Sequence, residues 1–166
     1  MITITIPGLP VPKARARSAV IGGSVRHYTP ETTRAYEDRV RMAARVAMAK
    51  APPMEGAALA VIVATLPVPE SWSRAKRADA LAGRVWPAAR PDRDNLAKAL
   101  QDGCNGIVWR DDAQVVIGLD IKRYGEAPGV ALAVAQAPEG IASAAGVIMG
   151  MLGALAQDGS AVNIFT

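Results

Sequence analysis

Cysteine and histidine are almost missing from this chain of 166 residues, which has one of each, Cys104 and His27. A lone cysteine excludes an internal disulfide and suits a reducing compartment. Together the two shortages exclude a Cys/His zinc site and a two-histidine acid–base pair. Aromatic residues are also scarce, so Trp72, Trp86 and Trp109 stand alone; they read as packing residues before base-stacking ones. No run of about 18 apolar residues is present, so no membrane span is expected. The opening Met1-Ile-Thr-Ile-Thr-Ile lacks the basic segment of a signal peptide, and the chain is expected to be soluble and cytoplasmic.

Charge is missing locally as well. Residues 127–166 contain no Lys or Arg and two acids, Glu139 and Asp158, so the net +4 becomes +6 over the first 126 residues, 19 basic against 13 acidic. No acid precedes Glu31, whereas Lys13, Arg15, Arg17 and Arg26 all do. A second basic group, Arg74, Lys76, Arg77, Arg84, Arg90 and Arg93, leads into a set of aspartates. Basic flanks around an acidic centre suit a polyanion held against bound cations; solubilising surface charge is the plainer alternative.

The patterning predicts helices and strands without strict alternation, which indicates a single α+β domain with a small mixed sheet flanked by helices. Residues 2–6 alternate as a half-buried strand, followed by a loop carrying Lys13, Arg15 and Arg17. Thr29-Pro30-Glu31 reads as an N-cap, first position and acidic first turn of a helix to about Lys50, with Tyr36, Val40, Ala44 and Ala47 inward. Residues 57–65 are apolar and β-branched like a central strand, and Ser71–Leu81 reads as a short basic helix ended by Gly83. A helix over about 95–102, ending at Gly103 and Gly106, is followed by strands over 107–109, 114–123 and 130–135. Ile141–Gln157 is uncharged and weakened as a helix by Gly146, Gly150 and Gly153; a packing or dimer contact, or disorder, is expected there.

The informative stretch is Arg90-Pro-Asp92-Arg-Asp94-Asn95-Leu-Ala-Lys98, then Asp102, then Arg110-Asp111-Asp112-Ala-Gln114. Asp94 is expected to cap the helix, with Asp92 just ahead of it and Lys98 one turn beyond. Along 114–122 the even positions are the polar ones, and extending that phase back selects Asp112 over Asp111. Converging Asp92, Asp94 and Asp112 would repel each other without a cation, and all-oxygen ligation selects a hard ion such as Mg²⁺. Such an ion supports phosphodiester hydrolysis, with Lys98 balancing transition-state charge. Separately, an Asp-x-Asp before a helix is usually a cap and a solvated acid, and Asp111-Asp112 a plain turn. Asp102 reads as a structural partner of Lys98.

Arg-Pro-Asp-x-Asp-Asn-Leu-x-Lys, an Asp four residues on, Asn-Gly, then Asp-Asp-x-Gln-Val with a Lys eight residues after the Gln, resembles the RusA-type Holliday junction resolvases of bacteria and their prophages. Pro10-Val-Pro12-Lys13 and Tyr28-Thr-Pro30 extend the likeness over roughly 1–135. It implies a homodimeric, Mg²⁺-dependent nuclease that resolves four-way DNA junctions by paired nicks, acting in recombination and repair on no small-molecule substrate. Asp92, Asp94 and Asp112 would hold the metal, and Lys98 would complete the catalytic set. Residues 1–137 would form the endonuclease domain and 138–166 an apolar extension. The Pro67–Arg90 segment is longer than in the family's shorter members, and the tail has no counterpart there. Lys13, Arg15, Arg17 and Lys122 are the candidate DNA contacts. The competing readings are a non-catalytic binder of branched DNA and a nuclease preferring flaps or forks.

Overall fold

The Ile/Thr alternation at the start of the chain does form a strand, β1 (Ile2–Pro7), with Ile4 and Ile6 facing the core in a computed structural model that describes residues 1–157. The loop expected next contains a hairpin, β2 (Arg17–Ile21) and β3 (Ser24–Tyr28), paired antiparallel and separate from the main sheet. Gly22 and Gly23, both at positive φ, make its two-residue turn, the backbone state that glycine adopts at least cost.

Helix α1 (Glu31–Met48) starts one residue later than expected, with Pro30 at the cap position. Its inward face is Tyr36, Val40, Ala44 and Met48. Ala47 is exposed, because the four-residue step from Ala44 reaches Met48 instead. Strand β4 (Ala58–Pro67) is buried along almost its whole length and is central, as its unbroken apolar run requires. Helix α2 (Arg74–Leu81) is capped by Ser73, whose side chain accepts from the backbone N–H of Lys76.

Helix α3 (Arg93–Cys104) runs through Gly103, which reads in the sequence as its end. A Cβ built on Gly103 would lie 2.7 Å from two side-chain atoms of Val40, so the glycine lets α3 press directly onto α1. Residues 107–109 are not a strand: 107 and 108 lie in a turn and Trp109 makes only isolated bridges, to Met54 and Asn105. Trp109 is fully buried there, its indole N–H donating to Asn105 Oδ1 at 2.8 Å. A 3-10 turn (Asp112–Gln114) leads into β5 (Val115–Gly125), and β6 (Gly129–Gln136) follows.

The strands lie in the order β1-β6-β4-β5, with β4 and β5 parallel and the other pairs antiparallel. This is the mixed sheet of an α+β domain. One face packs on α1 and α3 through Ile4, Ile62, Leu132, Val40 and Leu100. The other carries Leu59, Val61 and Val63 against helix α4 (Ala144–Gln157), which buries Met151, Leu152 and Leu155. Burying each of those three side chains contributes roughly 1.5–3 kcal/mol, enough to offset the helix weakness of Gly146, Gly150 and Gly153. Residues 158–166 of the expected 138–166 extension lie outside the described residues. Among the described residues no helix is long and apolar enough to cross a membrane.

Candidate active site

The end of β4 and the start of β5 lie at opposite ends of the sheet, because the two strands are parallel neighbours. The chain must therefore cross back between them, and this crossing carries α2, α3 and the 3-10 turn. All the aspartates singled out in the sequence sit on it.

Asp92, rather than Asp94, occupies the cap position of α3, in extended conformation and with no side-chain cap bond. Asp94 lies in the first helical turn. Both carboxylates are exposed, and among the described residues neither is engaged by a neighbouring side chain. The helix dipole favours negative charge at this end. Two contacts from β5 hold the approach to the helix. Lys122 Nζ donates to the carbonyls of Ala89 and Pro91, both at 2.9 Å, and Arg93 pairs with Asp120 at 2.8 Å.

Asp120 and Lys122 reach this side because of an irregularity in the sheet. Val115 pairs with Ala58 and Ile117 with Leu59, so the register shifts by one residue at Val116. Beyond the shift Ile117, Leu119 and Ile121 turn toward α4. The polar phase of 114–122 therefore cannot be extrapolated back to Asp112.

Asp112 is positioned instead by its 3-10 turn. Asp111 accepts from the backbone N–H of Ala113 and forms a capping box with Gln114. The Gln114 amide also donates to the carbonyls of Met54 and Gly56, at 3.0 and 2.8 Å, fixing the turn to the chain before β4. The Gln three residues after Asp111 is the sequence signal for this arrangement. Asp111 thus has a structural role, while the side chain of Asp112 faces α3.

Lys98 joins the two halves. Its ammonium donates to Asp112 Oδ2 at 2.5 Å and lies 3.0 Å from Asp102 Oδ1, one turn further along α3. The bonds to Asp112 and Asp102 raise its pKa above the ordinary lysine value, so it is a fixed cation at neutral pH. Burial pushes Asp102 upward, but the bonds from Lys13 and Lys98 outweigh it and hold the carboxyl below its ordinary range. Burial also pushes Asp120 up, against the opposing charge of Arg93.

The three predicted ligands therefore converge unequally. Asp92 and Asp94 share the start of α3, and Asp112 is tied to the next turn through Lys98. Among the described residues no group of three or more His, Cys, Asp or Glu side chains surrounds a common cation position. The donors are all oxygens and partly or fully open to solvent, which suits a hard divalent ion in chemistry. At Asp112 the Lys98 ammonium already stands against the carboxylate.

The predicted DNA contacts also separate. Arg15 is exposed, and Arg17 lies on β2 opposite Tyr28. Lys13 is turned inward onto Glu37 and Asp102, and Lys122 is spent on backbone carbonyls. Sequence reasoning missed Glu37 and Asp120, which lie on the inward sides of α1 and β5 and carry no motif. Trp109 is core; Trp72 stacks edge-on with Tyr124 at 5.3 Å, and Trp86 is exposed.

Residues 7–135 match the protein family described as Endodeoxyribonuclease RusA. A relative described as "Uncharacterized protein YqaN", from Bacillus subtilis (strain 168), is 30% identical over 133 residues, covering 78% of this chain and 92% of that protein. Asp92, Asp94, Lys98 and Asp112 all fall inside the family match, and α4 falls outside it.

Proposed function

Because the chain belongs to the RusA endodeoxyribonuclease family, and is thus a hydrolase that cuts DNA internally, we propose that it resolves Holliday junctions by paired nicks, using Mg²⁺ held by Asp92, Asp94 and Asp112. The observation that carries this reading is the Lys98–Asp112 contact beside the two open carboxylates at the start of α3. It joins the two separate halves of the aspartate motif through a single protonated lysine.

Bound by these carboxylates, a hard divalent ion would polarise a phosphoryl oxygen and lower the pKa of bound water. Lys98 supplies a positive charge that cannot be lost at neutral pH, suited to the charge that develops on the phosphoryl oxygens. Lys122 and Arg93 hold the chain on either side of Asp92, which restricts where its carboxylate can go. Exposed Arg15 and the hairpin carrying Arg26 offer positive charge to the DNA backbone. A four-way junction presents two equivalent strands about a two-fold axis, so a homodimer with two such sites matches its symmetry.

Incubation of the protein with a synthetic four-way junction, a flap, a fork and linear duplex tests the reading. Symmetric nicks in the junction, dependent on Mg²⁺ and absent from Asp94→Asn, are expected, with junction binding kept or tightened in that variant. Undiminished cutting by Asp94→Asn would sink the assignment of the site, and binding without cutting under any divalent ion would leave a binding module.

A further inference from the structure

The Pro10-Val11-Pro12 segment lays Lys13 between α1 and α3 instead of presenting it to solvent. Its backbone N–H donates to the Asn95 carbonyl in the first turn of α3, at 2.8 Å. The next residue, Ala14, donates to the hydroxyl of Thr33 on α1 at 3.4 Å. The Lys13 ammonium bridges Glu37 Oε1 at 2.5 Å and Asp102 Oδ2 at 2.7 Å. These side chains are largely shielded, 27% exposed for Lys13, 9% for Glu37 and 19% for Asp102, so water weakens the pairs little.

We propose that Lys13 is a positioning residue for Lys98, acting through Asp102, and not a phosphate contact. The inference rests on the reading of Lys98 and the aspartates as the cleavage machinery. Asp102 divides its two oxygens between the two lysines, Oδ2 to Lys13 and Oδ1 to Lys98. A carboxylate bound only to Lys98 would compete with Asp112 for that ammonium at full charge. Lys13 neutralises part of it, and Lys98 accordingly lies closer to Asp112, 2.5 Å, than to Asp102, 3.0 Å. The position of the catalytic cation is thereby set by a residue on the amino-terminal segment, which meets the motif at Asn95 and Asp102 and not at the proposed metal ligands.

The test uses the full chain, with Lys13→Met made together with Glu37→Gln so that no carboxylate is left buried without its cation. Asp102→Asn, which keeps the Lys13–Glu37 pair, gives an independent variant. Single-turnover cleavage of a four-way junction in Mg²⁺ is expected to slow about 10- to 100-fold in both, the scale of a small misplacement of a catalytic group. Junction Kd, measured without divalent ions, and its dependence on salt should match the wild type. Combining all three substitutions should slow cleavage no further than the worse variant, because both act through one path. Lys13→Arg should recover most of the rate.

An unchanged cleavage rate with a weakened Kd, and a salt slope reduced by about 0.9, would make Lys13 a phosphate contact and overturn the proposal. A wild-type protein that cuts no junction would defeat the parent reading instead. In that event the relay is still read by the NMR signal of ¹³C-methylated Lys98. A shift of that signal in Lys13→Met/Glu37→Gln supports transmission through Asp102, and an unmoved signal overturns it.

Discussion

The ammonium of Lys98 lies 2.5 Å from Asp112 Oδ2, so one carboxylate of the acidic set is neutralised by the lysine of the same motif. A divalent ion at Asp112 must therefore compete with Lys98, and metal affinity and lysine position are linked. Asp112→Asn and Lys98→Met are each expected to lower single-turnover cleavage at least about 100-fold while leaving junction binding intact. Chelation by EDTA should abolish wild-type cleavage. Thermal melting with added Mg²⁺ should raise the Tm of the wild type and not of Asp112→Asn. Equal stabilisation of the two proteins would remove Asp112 from the ligand set.

Gly103 predicts a different kind of failure. A methyl group there would lie 2.7 Å from Val40 Cβ and Cγ1 and 3.2 Å from the Glu37 carbonyl, so α3 must move off α1. Gly103→Ala should cost about 1–3 kcal/mol by urea denaturation, despite the better helix propensity of alanine. Glu37 and Asp102 sit on the two helices being separated, and cleavage should fall with stability. A variant as stable as the wild type would show that the helix pair is less closely fitted than described.

The charged network between α1 and α3 sets the response to pH. Asp102 is depressed below its unfolded value of 3.8, so its contribution to stability is present above that value and is lost as pH falls through the folded one. Lys13 is raised above 10.5, and its contribution is present below that value and lost as pH rises through the folded one. Asp120, raised by burial, acts with the opposite sign to Asp102, favouring the fold as pH falls. The urea midpoint of the wild type should drop below about pH 4, and Asp102→Asn should flatten that limb. A limb of the same steepness in the variant would assign the acid sensitivity to other groups.

The outer side of α4 offers a stabilising change. Among the described residues no atom lies within 4 Å of a Cβ built on Gly146 or Gly150, apart from the helix's own backbone and chain neighbours. Alanine at either position should therefore stabilise the protein by up to about 1 kcal/mol and raise the Tm without altering cleavage. A loss of stability would mean that something packs closely on this surface in solution.

Much of the sheet was legible because burial and alternation leave strong marks. β1, β4 and β6 read correctly from their apolar patterns, and α3 was found, although Asp92 and not Asp94 caps it. What failed depended on contacts between distant segments. Gly103 looked like a helix stop because Val40, its reason for being glycine, lies far away in the chain. The pairing of Lys13 with Glu37 and Asp102 has no local signal either. Asp112 was selected through a strand phase that the register shift at Val116 interrupts. The hairpin at Gly22-Gly23 was a miss whose signal was local, since a Gly-Gly pair between two β-prone runs is a turn.

The parallel pairing of β4 and β5 turns the segment between them into a handle fastened at both grips. Lys122 holds it just ahead of Asp92, and Gln114 holds it just after Asp112. Insertions and deletions around α2 fall outside the fastened stretch. Evolution can therefore lengthen or shorten that part to suit differently shaped DNA while the cutting chemistry stays where it is.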